Sequence, residues 1–216
     1  MTRLGVLGGT FDPVHLGHLA VGRAAAAALA LDEVRLVPSR VPPHRTGPHA
    51  SSYHRFAMAA LAAADEPRWT VSDVELLREG PSYSFDTLTA IAAADCLAPS
   101  QIFFLIGADA FAEIATWSRY PGVLDLAHFV VVTRPGTPLD AVRARVTAIG
   151  DRWTTAANAA ASATTRVVAL EAATPDVSST GIRARAAQAG SLSGLVTDRV
   201  AQYIQRHGLY GFRPRW

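Results

Sequence analysis

Short apolar runs recur along the chain, each separated from the next by a stretch long enough for a helix, and this alternation limits the fold more than any other feature. Leu4 to Leu7 reads as a first strand and His18 to Ala30 as the helix after it. Val34 to Val37 is a second strand, stopped by Pro38, and a loop rich in Pro and His (Val41 to His49) leads to a helix over Tyr53 to Ala64. Trp69 to Leu76 alternates like a strand, and Ser84 to Ala94 has helical spacing. Ile102 to Ile106 is apolar throughout, and Phe129 to Thr133 is apolar up to its last residue, as expected of strands covered on both faces. Leu139 to Thr165 predicts a helix followed by a weakly patterned connection, and Val167 to Leu170 a last strand. Helices over Thr180 to Ala189 and Thr197 to His207 close the chain, the second stopped by Gly208. The pattern implies an α/β chain built from βα units around a mostly parallel sheet, in a single domain over residues 1–216.

The most informative segment joins the first strand to the first helix: Gly8-Gly9-Thr10-Phe11-Asp12-Pro13-Val14-His15-Leu16-Gly17-His18. Two glycines at a strand end let a ligand approach the backbone closely. A helix start offers unpaired N–H groups and the positive end of the helix dipole, both suited to phosphate. His15 and His18 are three apart, so on a first helical turn both rings can face one side, where they could donate to phosphate oxygens gaining charge. Gly17 between them removes a side chain that would obstruct a ligand lying across the turn. Zinc ligation is the competing reading of two histidines at this spacing, but no third ligand stands at a telling distance in the sequence.

A second candidate anion site lies near the other end, in Val177-Ser178-Ser179-Thr180-Gly181-Ile182-Arg183. Ser and Thr favour helix N-caps, and Arg183 lies one turn in, where its guanidinium could reach an anion at the helix start. Alone this is commonplace capping. Paired with the first segment it suggests a triphosphate spanning the carboxyl edge of a sheet.

Together these residues resemble the HxGH nucleotidyltransferases, and beyond them the bacterial nicotinate-nucleotide adenylyltransferases. The similarity extends through Val41-Pro42-Pro43-His44-Arg45, Pro81-Ser82-Tyr83 with Asp86-Thr87-Leu88, Ile106-Gly107-Ala108-Asp109-Ala110, Trp117, Arg134-Pro135-Gly136, and Gly208-Leu209-Tyr210. The resemblance implies a Rossmann-like sheet with helices on both faces, and adenylyl transfer from ATP to nicotinate mononucleotide. It implies that Gly8, Gly9, Thr10 and Phe11, with His15 and His18, hold the ATP phosphates, and that Gly107 and Asp109 contact the adenosine. Ser179, Ile182 and Arg183 would close over adenine and polyphosphate, with residues 179–207 completing the ATP site. His15, His18 and Arg183 would be the catalytic set; Ser39, Arg45, Tyr83, Thr87, Trp117 and Arg134 would belong to the nicotinate-nucleotide side. Mg²⁺ would arrive with ATP, without a dedicated protein metal cage. Two positions depart from the family pattern: Arg45 where Lys is common, and Ser39 where Asn is expected. Read without the resemblance, Trp117 could be core, Thr87 and Tyr83 could cap and pack a helix, and Asp109 could be an N-cap.

Composition narrows the classes. Half the residues are hydrophobic and 18% are charged, which excludes a disordered charge-rich chain. All 20 basic residues are Arg, so any cationic phosphate contact must be a guanidinium. The net charge of +2 and the absence of a basic extension disfavour a nucleic-acid partner. One cysteine, Cys96, excludes an intramolecular disulfide, and the longest apolar run, Ala24 to Leu31, is too short to span a membrane. A cytoplasmic enzyme is expected; a homo-oligomer is left open. The rival readings are the same chemistry on nicotinamide mononucleotide, phosphopantetheine or a sugar-alcohol phosphate with CTP, a nucleotide-binding regulator without turnover, and a fragment of a tRNA ligase.

Overall fold

The structure is a computed structural model that describes residues 2–43, 47–133, 142–144 and 146–213. Seven strands, β1 (Leu4–Gly9), β2 (Glu33–Pro38), β3 (Trp69–Val71), β4 (Ile102–Gly107), β5 (His128–Thr133), β6 (Trp153–Thr154) and β7 (Val167–Glu171), form one sheet in the order β3-β2-β1-β4-β5-β7-β6. Every pairing is parallel. The strands alternate with helices α1 (Leu16–Leu29), α2 (Ser52–Ala63), α3 (Ser84–Ala94), α4 (Ala108–Phe111), α5 (Ala156–Ala161), α6 (Ser179–Ala187) and α7 (Asp198–Arg206).

Strand periodicity sorts the core into two layers. Phe103, Leu105, Val130 and Val132 join Leu19, Met58, Ile182, Val200 and Ile204 on one face. Ile102, Phe104, Ile106, Phe129 and Val131 join Leu88, Ile91 and Phe111 on the other. Successive side chains of a strand point to opposite faces, so an uninterrupted apolar run such as Ile102 to Ile106 fits only a strand with helices on both sides. The fold is α/β and Rossmann-like.

The chain runs outward from β1 through β2 to β3, then returns to build β4, β5 and the rest on the other side. That reversal leaves a crevice between the carboxyl ends of β1 and β4, the usual ligand position in open parallel sheets. Gly8 and Gly9 end β1 there, and Ile106 and Gly107 end β4.

Three expectations change. The strand from Trp69 stops at Val71, because this edge strand pairs with β2 only from Trp69 to Val71. The Ser72 N–H still donates to the Leu36 carbonyl, and the chain then turns at Asp73, which brings Glu75 under the crevice. Helix α1 begins at Leu16, making His15 its N-cap rather than a residue of its first turn. Within 139–165, residues 139–141 and 145 lie outside the described residues; residues 142–144 are helical, Thr147–Arg152 forms 3-10 turns, and Trp153–Thr154 adds a seventh, edge strand that two residues of sequence do not announce.

Candidate functional site

The crevice opens into a cavity of about 1030 Å³ at the switch point, lined by Gly8 to Asp12, His15, His18, Gly107 to Ala110, Trp117 and Ser178 to Thr180, with Arg183. That volume is at the top of the range for a site holding one small molecule, so two sizeable ligands have room.

Its floor is the β1–α1 loop. Phe11 takes a left-handed backbone conformation, φ 50°, at a cost of roughly 1–2 kcal/mol for a residue with a Cβ. Its ring is buried, at 2% exposure, packed on Gly9 and edge-on to His18 with centroids 5.0 Å apart. A Cβ on Gly9 would sit 2.9 Å from that ring, so glycine is required there by packing. Gly17 has a related role: its Cβ would meet the His15 ring at 3.0 Å and Val177 at 3.3 Å. The glycine thus seats His15 and admits the segment before α6.

His15 and His18 stack with ring centroids 3.7 Å apart. The His15 backbone N–H donates to His18 Nδ1 at 3.1 Å. An Nδ1 that accepts leaves the proton of a neutral ring on Nε2, so His18 presents Nε2–H as a donor.

The second helix start meets the first. Ser178 caps α6, its hydroxyl accepting from the Gly181 N–H. The Ser179 hydroxyl donates to the Pro13 carbonyl at 3.0 Å, and Arg183 Nη1 donates to the Asp12 carbonyl at 2.8 Å. Segments far apart in the chain are thereby held edge to edge over one cavity. Ile182, in contrast, is 1% exposed within the core and does not line the cavity wall.

Asp12 and Arg55 hold this arrangement through bonds to segments distant in the sequence. The Asp12 carboxylate, 5% exposed, accepts from the His49 N–H, the Ala50 N–H and the Tyr210 hydroxyl. Arg55 is 1% exposed and donates to the carbonyls of Thr10, Ala50 and Arg40, joining the loops after β1 and β2 to the start of α2. Burial lowers its pKa, against the opposing pull of Asp12, Tyr210 and Glu75. The sequence did carry a signal for Arg55. It shares the helical spacing of Met58, Ala59 and Ala62, so it is a charge on an apolar face.

On the β2 side, Ser39 donates its N–H to the Gly9 carbonyl and lines the cavity. Tyr83 is the N-cap of α3 and also lines it. Thr87 is buried, and its hydroxyl donates to Glu75 Oε1 at 2.6 Å while accepting from Arg78. Burial raises the Glu75 pKa; Ser82, Thr87, Arg78 and Arg55 oppose the shift. Glu75 occupied the supposed strand from Trp69, where alternation alone gave no reason to expect a buried carboxyl facing a ligand cavity. Trp117 meets Phe104 edge-on with centroids 6.2 Å apart and forms a wall shared with a smaller adjoining cavity that also touches Thr10, Pro42 and Pro43. Gly107 is the N-cap of α4, which places Asp109 in the first turn, exposed on the cavity rim. Arg45 and Arg134 lie outside the described residues. Among the described residues no group of three or more His, Cys, Asp or Glu is arranged to hold a metal, and no helix is long and apolar enough to cross a membrane.

Residues 6–185 match the Cytidylyltransferase-like family. A probable nicotinate-nucleotide adenylyltransferase of Bordetella petrii is 40% identical over 210 residues, covering 97% of this chain and all of the relative. A protein of the same name from Acidothermus cellulolyticus is 39% identical, with 96% and 94% of the two chains covered. Among solved structures, the Plasmodium falciparum nicotinic acid mononucleotide adenylyltransferase complexed with NaAD superposes with a TM-score of 0.74 over 99% of both chains. At 15% identity that likeness speaks for the fold. The chain belongs to the Cytidylyltransferase-like family and, within it, to the nicotinate-nucleotide adenylyltransferases.

Proposed function

We propose that this protein transfers the adenylyl group of ATP to nicotinate mononucleotide, giving deamido-NAD and pyrophosphate in NAD biosynthesis. The observation that carries the site assignment is the meeting of two helix starts, with Arg183 and Ser179 bonded to the backbone of Asp12 and Pro13 beside the histidine pair. Family membership supports the choice of substrates.

In the reaction, a 5′-phosphate oxygen of the mononucleotide attacks the α-phosphorus of ATP. A new P–O bond forms, the bond to the bridging α–β oxygen breaks, and pyrophosphate leaves. A phosphate monoester loses its second proton near pH 6, so the nucleophile is already mostly dianionic at neutral pH and needs no protein base. The work left to the protein is alignment and charge stabilisation.

Gly8 to Phe11 offer backbone to the triphosphate. His18 Nε2–H and the start of α1 face the α-phosphate, with His15 stacked behind it. Arg183 stabilises the departing pyrophosphate by exchanging its bond to the Asp12 carbonyl for phosphate oxygens. Gly107 and Asp109 receive the adenosine, and Ser179 acts through the helix start it anchors. Ile182 acts by packing α6 in place, since its side chain is spent in the core. Ser39, Tyr83, Thr87 and Trp117 form the nicotinate-nucleotide side, where Trp117 meets the pyridine ring and Thr87 contributes through shape and backbone, its hydroxyl being engaged by Glu75. The ATP is its Mg²⁺ complex, the ion entering as part of the substrate with several of its waters. A reaction fed by ATP and a soluble mononucleotide fits a cytoplasmic enzyme.

The test is pyrophosphate release with MgATP and each of nicotinate mononucleotide, nicotinamide mononucleotide and phosphopantetheine. Nicotinate mononucleotide should give the highest kcat/KM; a preference for either other acceptor would overturn the substrate assignment, and no release with any would overturn the activity.

A further inference from the structure

The C-terminal turn reaches back to the ATP loop through one hydroxyl. Tyr210 lies in a 3-10 turn, Leu209–Gly211, with a left-handed backbone (φ 59°, ψ 27°), and the turn packs against α6 and α7. Its phenol donates to Asp12 Oδ1 at 2.9 Å, across 198 residues of sequence. Tyr210 itself does not line the cavity, whereas Asp12 does. We propose that Tyr210 is a positioning residue of the ATP site, fixing the carboxylate of Asp12 and through it the loop that carries the phosphate contacts; this rests on the ATP site assigned above.

Within that loop, Asp12 is engaged from both sides. Its carboxylate takes the two N–H groups that open toward α2 (His49 and Ala50), and its carbonyl takes Arg183. Those two N–H bonds orient the carboxyl within the N-terminal part of the chain. The tyrosine links the carboxylate to the C-terminal turn, on the same side as α6. A hydroxyl bonded to an ionised acceptor is worth more than one between neutral groups. Burial and the neighbouring Asp12 hold the phenol well above its ordinary pKa, so it stays a donor across the working pH range. The turn thus couples two elements that ATP must bridge, the β1–α1 loop and the start of α6.

The test is Tyr210→Phe, which keeps the ring and removes the donor. MgATP binding, measured by calorimetry without acceptor, should weaken about tenfold, the scale of one charge-assisted hydrogen bond. kcat/KM for ATP should fall to match, KM for nicotinate mononucleotide should change less than twofold, and the thermal midpoint should stay within a few degrees. In an Asp12→Asn background, which weakens the same bond, Tyr210→Phe should add little. Unchanged ATP binding would overturn the proposal. So would an equal loss for both substrates, which marks general loosening, or full additivity of the two substitutions. If the unsubstituted protein fails to bind ATP, it is the assigned function that fails.

Discussion

The His15 backbone N–H donates to His18 Nδ1 at 3.1 Å, so the second histidine of the pair caps the helix that the first one opens. One ring therefore has two duties: its Nδ1 satisfies a backbone donor, and the ring also lines the cavity. The two can be separated. His18→Ala should lower kcat by more than ~100-fold, the range seen on losing one preorganised electrostatic donor, and lose about 1 kcal/mol of stability with the cap. His18→Asn can still accept from His15 but has no Nε2–H, so it should match the alanine variant in kcat while keeping more stability. Pyrophosphate release and thermal unfolding read the two effects; near-wild-type turnover in either variant would remove His18 from the chemistry.

Trp117 stands where the main and adjoining cavities meet. Trp117→Ala should raise KM for nicotinate mononucleotide about tenfold or more, the loss expected from an aromatic stacking partner, with little change in KM for ATP. An effect confined to ATP would reverse the assignment of that wall.

His128 is fully buried in β5, its Nε2 paired with the Ser100 carbonyl and its Nδ1 accepting from the Arg166 N–H. Burial, with a smaller contribution from Arg166, pushes its pKa below the ordinary value of 6.5. The unfolded chain therefore takes up this proton first on acidification. The stability owed to the neutral ring is whole above about pH 6.5 and is lost as pH falls through and below that value. Glu75, raised by burial, works in the opposite direction, so the comparison must be made by variant. His128→Asn should be less stable at neutral pH yet show a shallower fall in thermal midpoint between about pH 6.5 and 5. An unchanged slope would show that His128 is not the group responsible.

Gly22 lies on the buried face of α1, where an added Cβ would run into the Trp69 ring. Gly22→Ala trades better helix propensity for overpacking, and the clash should win, costing about 1–3 kcal/mol. A lowered midpoint in thermal unfolding with normal activity per folded molecule is expected, since Gly22 does not line the cavity. A more stable variant would mean that the Trp69 ring moves freely.

The sequence by itself determined the layers. Ile102 to Ile106 is apolar at every position, and only a strand covered on both faces buries such a run, so the parallel α/β class followed from local pattern. The two helix starts were legible for a similar reason: glycines, N-cap hydroxyls and histidines at fixed offsets are short-range signals. Tertiary structure alone decided how those starts meet, because the bonds from Arg183 and Ser179 to Asp12 and Pro13 join segments that no local rule relates. It also decided that Arg55 and Glu75 are buried beside the site, that Thr87 gives its hydroxyl to a carboxylate, and that Ile182 is core. Backbone propensity acts within a turn or two of the chain. A buried polar group is placed by the partners that repay its lost water, and here those partners come from across the sheet and from the far end of the sequence.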